Sequence, residues 1–188
     1  MKKLGLFCIL ALAVALLAGN AFAQGDNSVY FTTYYSNANT TGAPDATVRI
    51  INDGDTGGNL WAAIYVFDDS QELQECCACE VTPDGLLSES VNKNLTANAI
   101  TGKKPTRGVI KVISSSTSDP TNTAPVAGLR EFGTHVQFLK AGAFAVTETR
   151  AADSNLVPAE QALLQNLCYY DALLSGTPCS CTPEDNDF

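Results

Sequence analysis

Five of the chain's seven cysteines fall in two tight clusters, Cys76-Cys77-x-Cys79 and Cys179-x-Cys181, with Cys168 between them and Cys8 near the start. This spacing constrains the fold more than any hydrophobic pattern does. Such clusters either staple distant stretches together or hold a metal, and the redox compartment decides which. The first residues point to export. Lys2 and Lys3 form a short positive region, residues 4–18 are apolar, broken only by Gly5, and Ala21-Phe22-Ala23 supplies a small-x-small cleavage pattern. A signal peptide spanning residues 1–23, cut before Gln24, is therefore expected. An apolar run of about 15 residues is shorter than the roughly 20 needed to cross a bilayer, which argues against a retained anchor. Gly19, Asn20 and Gln24 stand where a lipid-anchored protein would need a cysteine, and no adjacent arginines mark a twin-arginine route. The expected location is secreted or periplasmic, with no membrane attachment after cleavage.

Cys8 leaves with the signal, so six cysteines remain: Cys76, Cys77, Cys79, Cys168, Cys179 and Cys181. In an oxidising compartment an even count reads as a disulfide framework, and six cysteines allow 15 pairings. Adjacent cysteines bridge each other only through a strained ring. The first cluster is therefore expected to pair mostly with Cys168, Cys179 and Cys181. Such bridges close loops of about 90 to 105 residues and contribute up to roughly 4 to 5 kcal/mol each in the chain-entropy model. A metal site is the competing reading. The familiar zinc spacing is CxxC twice, neither cluster has it, and oxidation removes the thiolates. No metal and no cofactor is expected.

Removing 23 of 188 residues leaves 165, the length of one domain with a real core. Residues 24–188 are read as a single β-rich unit. The full chain carries a formal charge of −9; without Lys2 and Lys3, 9 basic residues face 20 acidic ones, giving −11. That balance argues against nucleic-acid and anionic-lipid partners, and it suits either cations or basic partners or simple dispersal of an exported protein.

Seven segments carry strand patterns. Residues 29–35 (VYFTTYY) are β-branched and aromatic, and residues 46–51 follow after a polar loop. Residues 60–67 (LWAAIYVF) are apolar at both parities, as in a central buried strand. Residues 86–91, 108–114, 129–139 and 143–150 complete the set, the last two as a hairpin around Lys140-Ala141-Gly142. Residues 68–80 read as polar and cysteine-rich with one short helical turn. Residues 115–128 read as a long, exposed, mobile loop. One helix is expected over 158–175. Pro158 suits a first helical position, Glu160 the positive helix end, and Gly176 a stop. Leu163, Leu164, Leu167, Leu174 and Cys168 keep roughly helical spacing on one side. Residues 176–188 form a cysteine-containing acidic tail. The order predicts a mainly β fold: an antiparallel β-sandwich of about seven strands with one C-terminal α-helix, stapled by disulfides.

Candidate chemistry is sparse. Asp53 and Asp55, in the turn Asn52 to Asn59, suggest a calcium loop. The EF-hand pattern then fails, because its fifth and twelfth positions are Gly57 and Ile64. Trp61, with Tyr30, Tyr34, Tyr35 and Tyr65, could stack sugars, although aromatic residues at alternating strand positions more often build core. His135 is the single histidine and lacks a surrounding catalytic motif. Glu72, Glu75, Glu80, Glu89 and Glu131 could supply a glycosidase pair, yet nothing in the sequence places two across a cleft. No catalytic residue is assigned.

The CCxC cluster followed by Val81-Thr82-Pro83-Asp84-Gly85-Leu86, the late helix bearing Cys168, and the closing Cys179-Ser180-Cys181 resemble a group of uncharacterised exported bacterial proteins. The resemblance implies secretion and a shared disulfide layout, and it implies no activity. The expectation is a non-enzymatic structural or adhesive surface protein, a fibre subunit being one form of it. In that form residues 29–35 could complete a neighbour's sheet instead of pairing at home. The alternative is an extracellular carbohydrate- or calcium-binding module, and a secreted hydrolase ranks third. The partners considered are a second copy, an extracellular protein or a glycan.

Overall fold

The computed structural model describes residues 27–96, 98, 101–175 and 181. The expected signal segment 1–23, with Cys8, and also Gln24, Cys179 and most of the tail 176–188 lie outside the described residues.

The chain forms strands β1 (Tyr30–Ser36), β2 (Thr47–Asn52), β3 (Leu60–Asp68), β4 (Leu73–Val81), β5 (Leu86–Ser90), β6 (Arg107–Ser115), β7 (Leu129–Phe138), β8 (Phe144–Arg150) and β9 (Ala152–Asp153), followed by helix α1 (Pro158–Ser175). Two antiparallel sheets stack face to face, one in the order β4-β3-β6-β1-β9 and one in the order β5-β2-β7-β8. This is the mainly β sandwich with one late helix that the sequence predicts. Among the described residues the strands number nine, not seven, because β4 and the two-residue β9 join the set.

Most of the apolar side chains lie between the sheets. Phe31, Ile50, Ile64, Val112 and Leu129 are wholly buried there. Burying such side chains contributes about 1.5 to 3 kcal/mol each. The double apolar pattern of β3 has a simple cause. Leu60, Ala62, Ile64 and Val66 face the other sheet, while Ala63, Tyr65 and Phe67 face α1. A strand covered on both sides has no wet face to alternate with.

The segment expected to be polar with a helical turn is instead β4, an edge strand paired to β3 from Leu73 to Val81 with a bulge near Gln74. Cysteine behaves here as a small apolar residue. Cys77, Cys79 and Val81 point into the sandwich, and Cys76 points under α1. The long loop 115–128 is also more ordered than expected. Ser115 bridges to Pro125, Ser116 N–H bonds to the Ala124 carbonyl, and Tyr65 Oη donates to the Pro120 carbonyl at 2.6 Å. β1 pairs with β6 along all seven of its residues, so it is used within its own sheet. Between β5 and β6 the chain makes one π-type turn, Val91–Leu95, whose Leu95 is fully buried.

Among the described residues two bridges staple the layers: Cys76–Cys168, closing 92 residues, and Cys79–Cys181, closing 102. Both run from the first cluster to the late part of the chain. Among the described residues no helix is long and apolar enough to cross a membrane.

Candidate binding groove beside the helix

α1 starts at Pro158, where a missing N–H costs nothing, and carries Glu160 in its first turn. It lies on the outer face of the five-stranded sheet and is held at three places. Near its N-terminus, Glu160 Oε1 accepts from Tyr30 Oη at 2.9 Å and from Lys111 Nζ at 2.5 Å. Along one flank, Gln161 and Gln165 donate to Thr123. In the middle, Leu164 and the bridged Cys168 are fully buried. The side expected to pack as a unit therefore splits. Leu164 and Cys168 meet the sheet and Leu167 is half-buried, but Leu163 and Leu174 stand in the open. The reason is angular. Residues 164 and 168 lie about 100° around the helix from residues 163 and 174.

This offset leaves a groove between α1 and the sheet. One hollow of about 360 Å³ lies between Phe67, Val109 and Lys111 on the sheet and Leu163 and Leu167 on the helix. A second, of about 400 Å³, continues past Asp68, Gln71 and Val109 toward Tyr34, Asp69 and Arg107. Its floor depends on Gly108. A Cβ there would sit 1.8 Å from the Phe67 carbonyl oxygen, so only glycine lets β6 and β3 approach while Tyr35 Oη donates to that oxygen at 3.2 Å. Gln71 closes the β3–β4 turn in the left-handed region, with φ of 67°.

Each carboxylate of the groove has a cation. Lys103 Nζ lies 2.6 Å from Asp68, Arg107 Nε lies 2.7 Å from Asp69, and Lys111 holds Glu160. Burial alone would raise the Asp68 carboxyl. The Lys103 hydrogen bond and the Glu72 and Ser70 N–H groups outweigh it and hold the group below its usual range. Glu160 behaves alike: burial raises it, and hydrogen bonds from Lys111 and Tyr30 bring it lower. The groove thus offers apolar walls with neutralised charge, not a free acid or base.

Of the residues singled out from sequence, Tyr34 and Tyr35 line the second hollow, and the others lie elsewhere. Asp53 pairs with Arg130 at 2.6 Å and accepts the Asp55 N–H at 3.1 Å, which makes the loop a turn closed by its own polar groups. Trp61 is half-buried on β3 opposite Glu80 and Ser115 and lines neither hollow. His135 is buried, stacks on Tyr34 with ring centroids 4.0 Å apart, and bonds the Tyr34 carbonyl and Thr149 Oγ1 through its two nitrogens. The sulfurs of Cys77, Cys79 and Cys181 lie within 4.8 Å of one another, a spacing that would suit a metal. All three are disulfide-bonded and offer no thiolate. Of the glutamates, Glu89 and Glu131 are fully buried between the sheets. Glu131 has no hydrogen-bond partner on either oxygen among the described residues, and burial pushes it up to about 8. Glu75 is pushed up to about 8 by burial and by the charge of Asp171.

Phe67, Gln71, Val109 and Leu163 gave no functional signal in the sequence. Phe67 and Val109 read as strand core, and only the exposure left by the helix's placement makes them groove walls.

No family model and no curated protein matches the chain. Among solved structures, the crystal structure of Thermotoga maritima 1070 overlaps it at a TM-score of 0.44 and 13% identity, covering 70% of this chain and 97% of that one. The Anabaena sensory rhodopsin transducer overlaps at 0.35 and 15% identity, covering 66% and 96% respectively. Neither likeness carries a functional inference.

Proposed function

We propose that the chain is an exported, non-enzymatic surface protein of structural or adhesive type that works by contact, with the groove beside α1 as its contact face. The observation that carries this reading is the apolar hollow lined by Leu163, Leu167, Phe67 and Val109, of which Leu163 and Val109 are exposed. Catalysis by a carboxylate pair would need two free acids across a cleft. Here the groove's acids are tied to cations, and Glu89 and Glu131 are sealed in the core. Pairing of β1 with β6 along all seven of its residues, and with β9 at Phe31 and Thr32, supports contact through the groove over strand donation as the route to assembly.

A glycan ligand is the second reading, favoured by Tyr34. It is 49% exposed at the polar end of the groove, with one ring face backed by His135. The test is co-sedimentation of the mature protein with cell-envelope material and binding to immobilised glycans. The variants are Leu163→Asp and Tyr34→Ala, with Trp61→Ala as control. Attachment lost with Leu163→Asp supports the contact reading, and glycan binding lost only with Tyr34→Ala supports the second. A protein that attaches to neither, or attaches equally well with both variants, removes the groove from its function.

A further inference from the structure

The first cysteine cluster brings two disulfides into contact. Cys77 and Cys79 stand two residues apart on β4, so both side chains point into the sandwich, while Cys76 points the other way, under α1. Cys79 is bonded to Cys181, and Cys77 belongs to a disulfide as well. The sulfurs of Cys77 and Cys79 are 3.8 Å apart, and the Cys181 sulfur lies within 4.8 Å of both. Exposure separates these residues. Cys76, Cys77, Cys79 and Cys168 are buried, whereas Cys181 is half-buried. Among the described cysteines, a thiol arriving from solution therefore meets Cys181 first.

The geometry points to a disulfide-exchange relay through Cys181, Cys79 and Cys77, by which one dithiol reductant opens both bridges of the cluster and leaves a Cys77–Cys79 bond within β4. A thiolate of the dithiol attacks the Cys181 sulfur. The reductant–Cys181 bond forms, and the Cys79–Cys181 bond breaks with its electron pair on Cys79. The Cys79 thiolate attacks the Cys77 sulfur beside it. The Cys77–Cys79 bond forms, and the sulfur previously bonded to Cys77 leaves as a thiolate and takes up a proton. The second thiol of the dithiol then resolves the mixed disulfide, so Cys181 leaves as a thiol and the reductant departs as its own disulfide. Two protein bridges and one dithiol become one protein bridge, two protein thiols and one reductant disulfide. Two electrons and two protons pass from the dithiol to the protein.

Three features favour the internal step. The attacking and attacked sulfurs are already in contact on one strand, which makes the reaction unimolecular. A free thiolate at Cys79 is disfavoured by burial and by the Glu89 carboxyl, whose Oε1 lies 4.0 Å from that sulfur. Residues two apart on a strand have Cα atoms about 6.5 Å apart, inside the limit of about 6.8 Å for a disulfide. β4 also lies at the edge of its sheet, so a pucker there disturbs pairing on one side alone. The relay stops at Cys77. Cys76 and Cys168 lie on the other face of the sheet, so α1 keeps its covalent tie while Cys181 is released from the core.

The test is a titration of the native, oxidised mature chain with dithiothreitol up to one equivalent, quenched with acid, labelled with a thiol alkylator and mapped by peptide mass spectrometry. The first product should carry label on Cys181 and on the former partner of Cys77, with Cys77 and Cys79 joined to each other. Label on Cys181 should exceed that on Cys79 by about tenfold. Cys76 and Cys168 should stay bonded. In Cys77→Ser, with the thiol that this frees blocked beforehand, the relay has no second sulfur, and Cys79 should take label equally with Cys181. Should that variant misfold, the wild-type pattern decides alone. Equal label on Cys79 and Cys181 in wild type, a product opened first at Cys76–Cys168, or a chain that one equivalent leaves unlabelled overturns the relay.

Discussion

The five-stranded sheet makes two interfaces, and they are built differently. Against the four-stranded sheet it buries whole rows of side chains, among them Phe31, Ile64 and Val112 from its own strands and Ile50 and Leu129 from the facing ones. Against α1 it receives only Leu164 and Cys168 as fully buried helical residues. Under them lies a smaller apolar cluster of Ala63, Tyr65, Phe67 and Ile113, and around it one disulfide, the Tyr30–Glu160–Lys111 cluster and the Thr123 hydrogen bonds. The sandwich is held mainly by apolar area, with the Cys79–Cys181 bridge set against its core. The helix is held by a smaller apolar cluster together with discrete ties, each removable alone. This difference explains how α1 can keep one flank exposed without weakening the body of the protein.

The strongest way to break the comparison is to weaken each interface in turn. Phe31→Ala opens a cavity between the sheets and should cost about 3 to 5 kcal/mol, lowering the whole unfolding transition. The double variant Cys76→Ala/Cys168→Ala removes the covalent tie, which closes a 92-residue loop. It should free residues 158–175 while the sandwich persists. Hydrogen exchange resolves the two. Amides of α1 should lose protection in the double variant while those of β3 and β6 keep theirs. If the β3 and β6 amides lose protection to the same degree, the two layers form one cooperative unit and the distinction drawn here is wrong.

A second effect, spread over a range of pH, comes from acid–base chemistry inside the sandwich. Burial raises the Glu131 carboxyl from its ordinary 4.5 to about 8 in the folded chain. Between those values the folded state holds a proton that the unfolded state has released. Glu131 therefore makes stability fall as pH rises through that window and level off above it. Glu75, also raised to about 8, acts with the same sign but is more open to solvent and weaker. Urea unfolding from pH 4.5 to 8 should show the slope, and Glu131→Gln should remove most of it. A slope unchanged in Glu131→Gln would mean that the carboxyl is not held neutral in the core.

The sequence was most legible where one rule governed the segment. The strand patterns around β1, β2, β3, β5, β6, β7 and β8, and the boundaries of α1, follow from side-chain periodicity and turn chemistry. β4 was not legible because Cys76, Cys77 and Cys79 read as cross-links, when each is also a buried apolar residue on alternating faces of a strand. The groove was legible in neither composition nor motif. Leu163 and Leu164 differ by one position and look equivalent in a list of apolar residues, yet one is 51% exposed and the other wholly buried. What separates them is the rotation of α1 about its axis, set by the Cys76–Cys168 bridge and Glu160, which are both tertiary contacts. The pairing of Asp53 with Arg130 was likewise illegible, because the two are remote in sequence.

The smallest expected effect tests the helical interface from the other side of the pH scale. Hydrogen bonds from Lys111 and Tyr30 hold the Glu160 carboxyl below its ordinary 4.5 despite burial. A depressed carboxyl contributes stability above its unfolded value and loses it as pH falls through its folded value, the opposite sign to Glu131. Acidification below 4.5 should therefore loosen the N-terminal turn of α1 while the Glu131 contribution holds the sandwich at its maximum. Because Lys111 and Glu160 are each about a quarter exposed, solvent screens the pair, and Glu160→Gln should cost only about 1 kcal/mol at pH 7. A double-mutant cycle with Lys111→Met isolates the pair from the change in packing. Exchange at the amides of residues 160–164 is the matching readout, rising below pH 4.5 in wild type and pH-independent in Glu160→Gln once intrinsic rates are divided out. If Glu160→Gln instead shifted the β3 and β6 amides by as much as those of α1, the first turn of the helix would belong to the sandwich's cooperative unit, and the discrete-tie picture of this interface would fail at its N-terminal end.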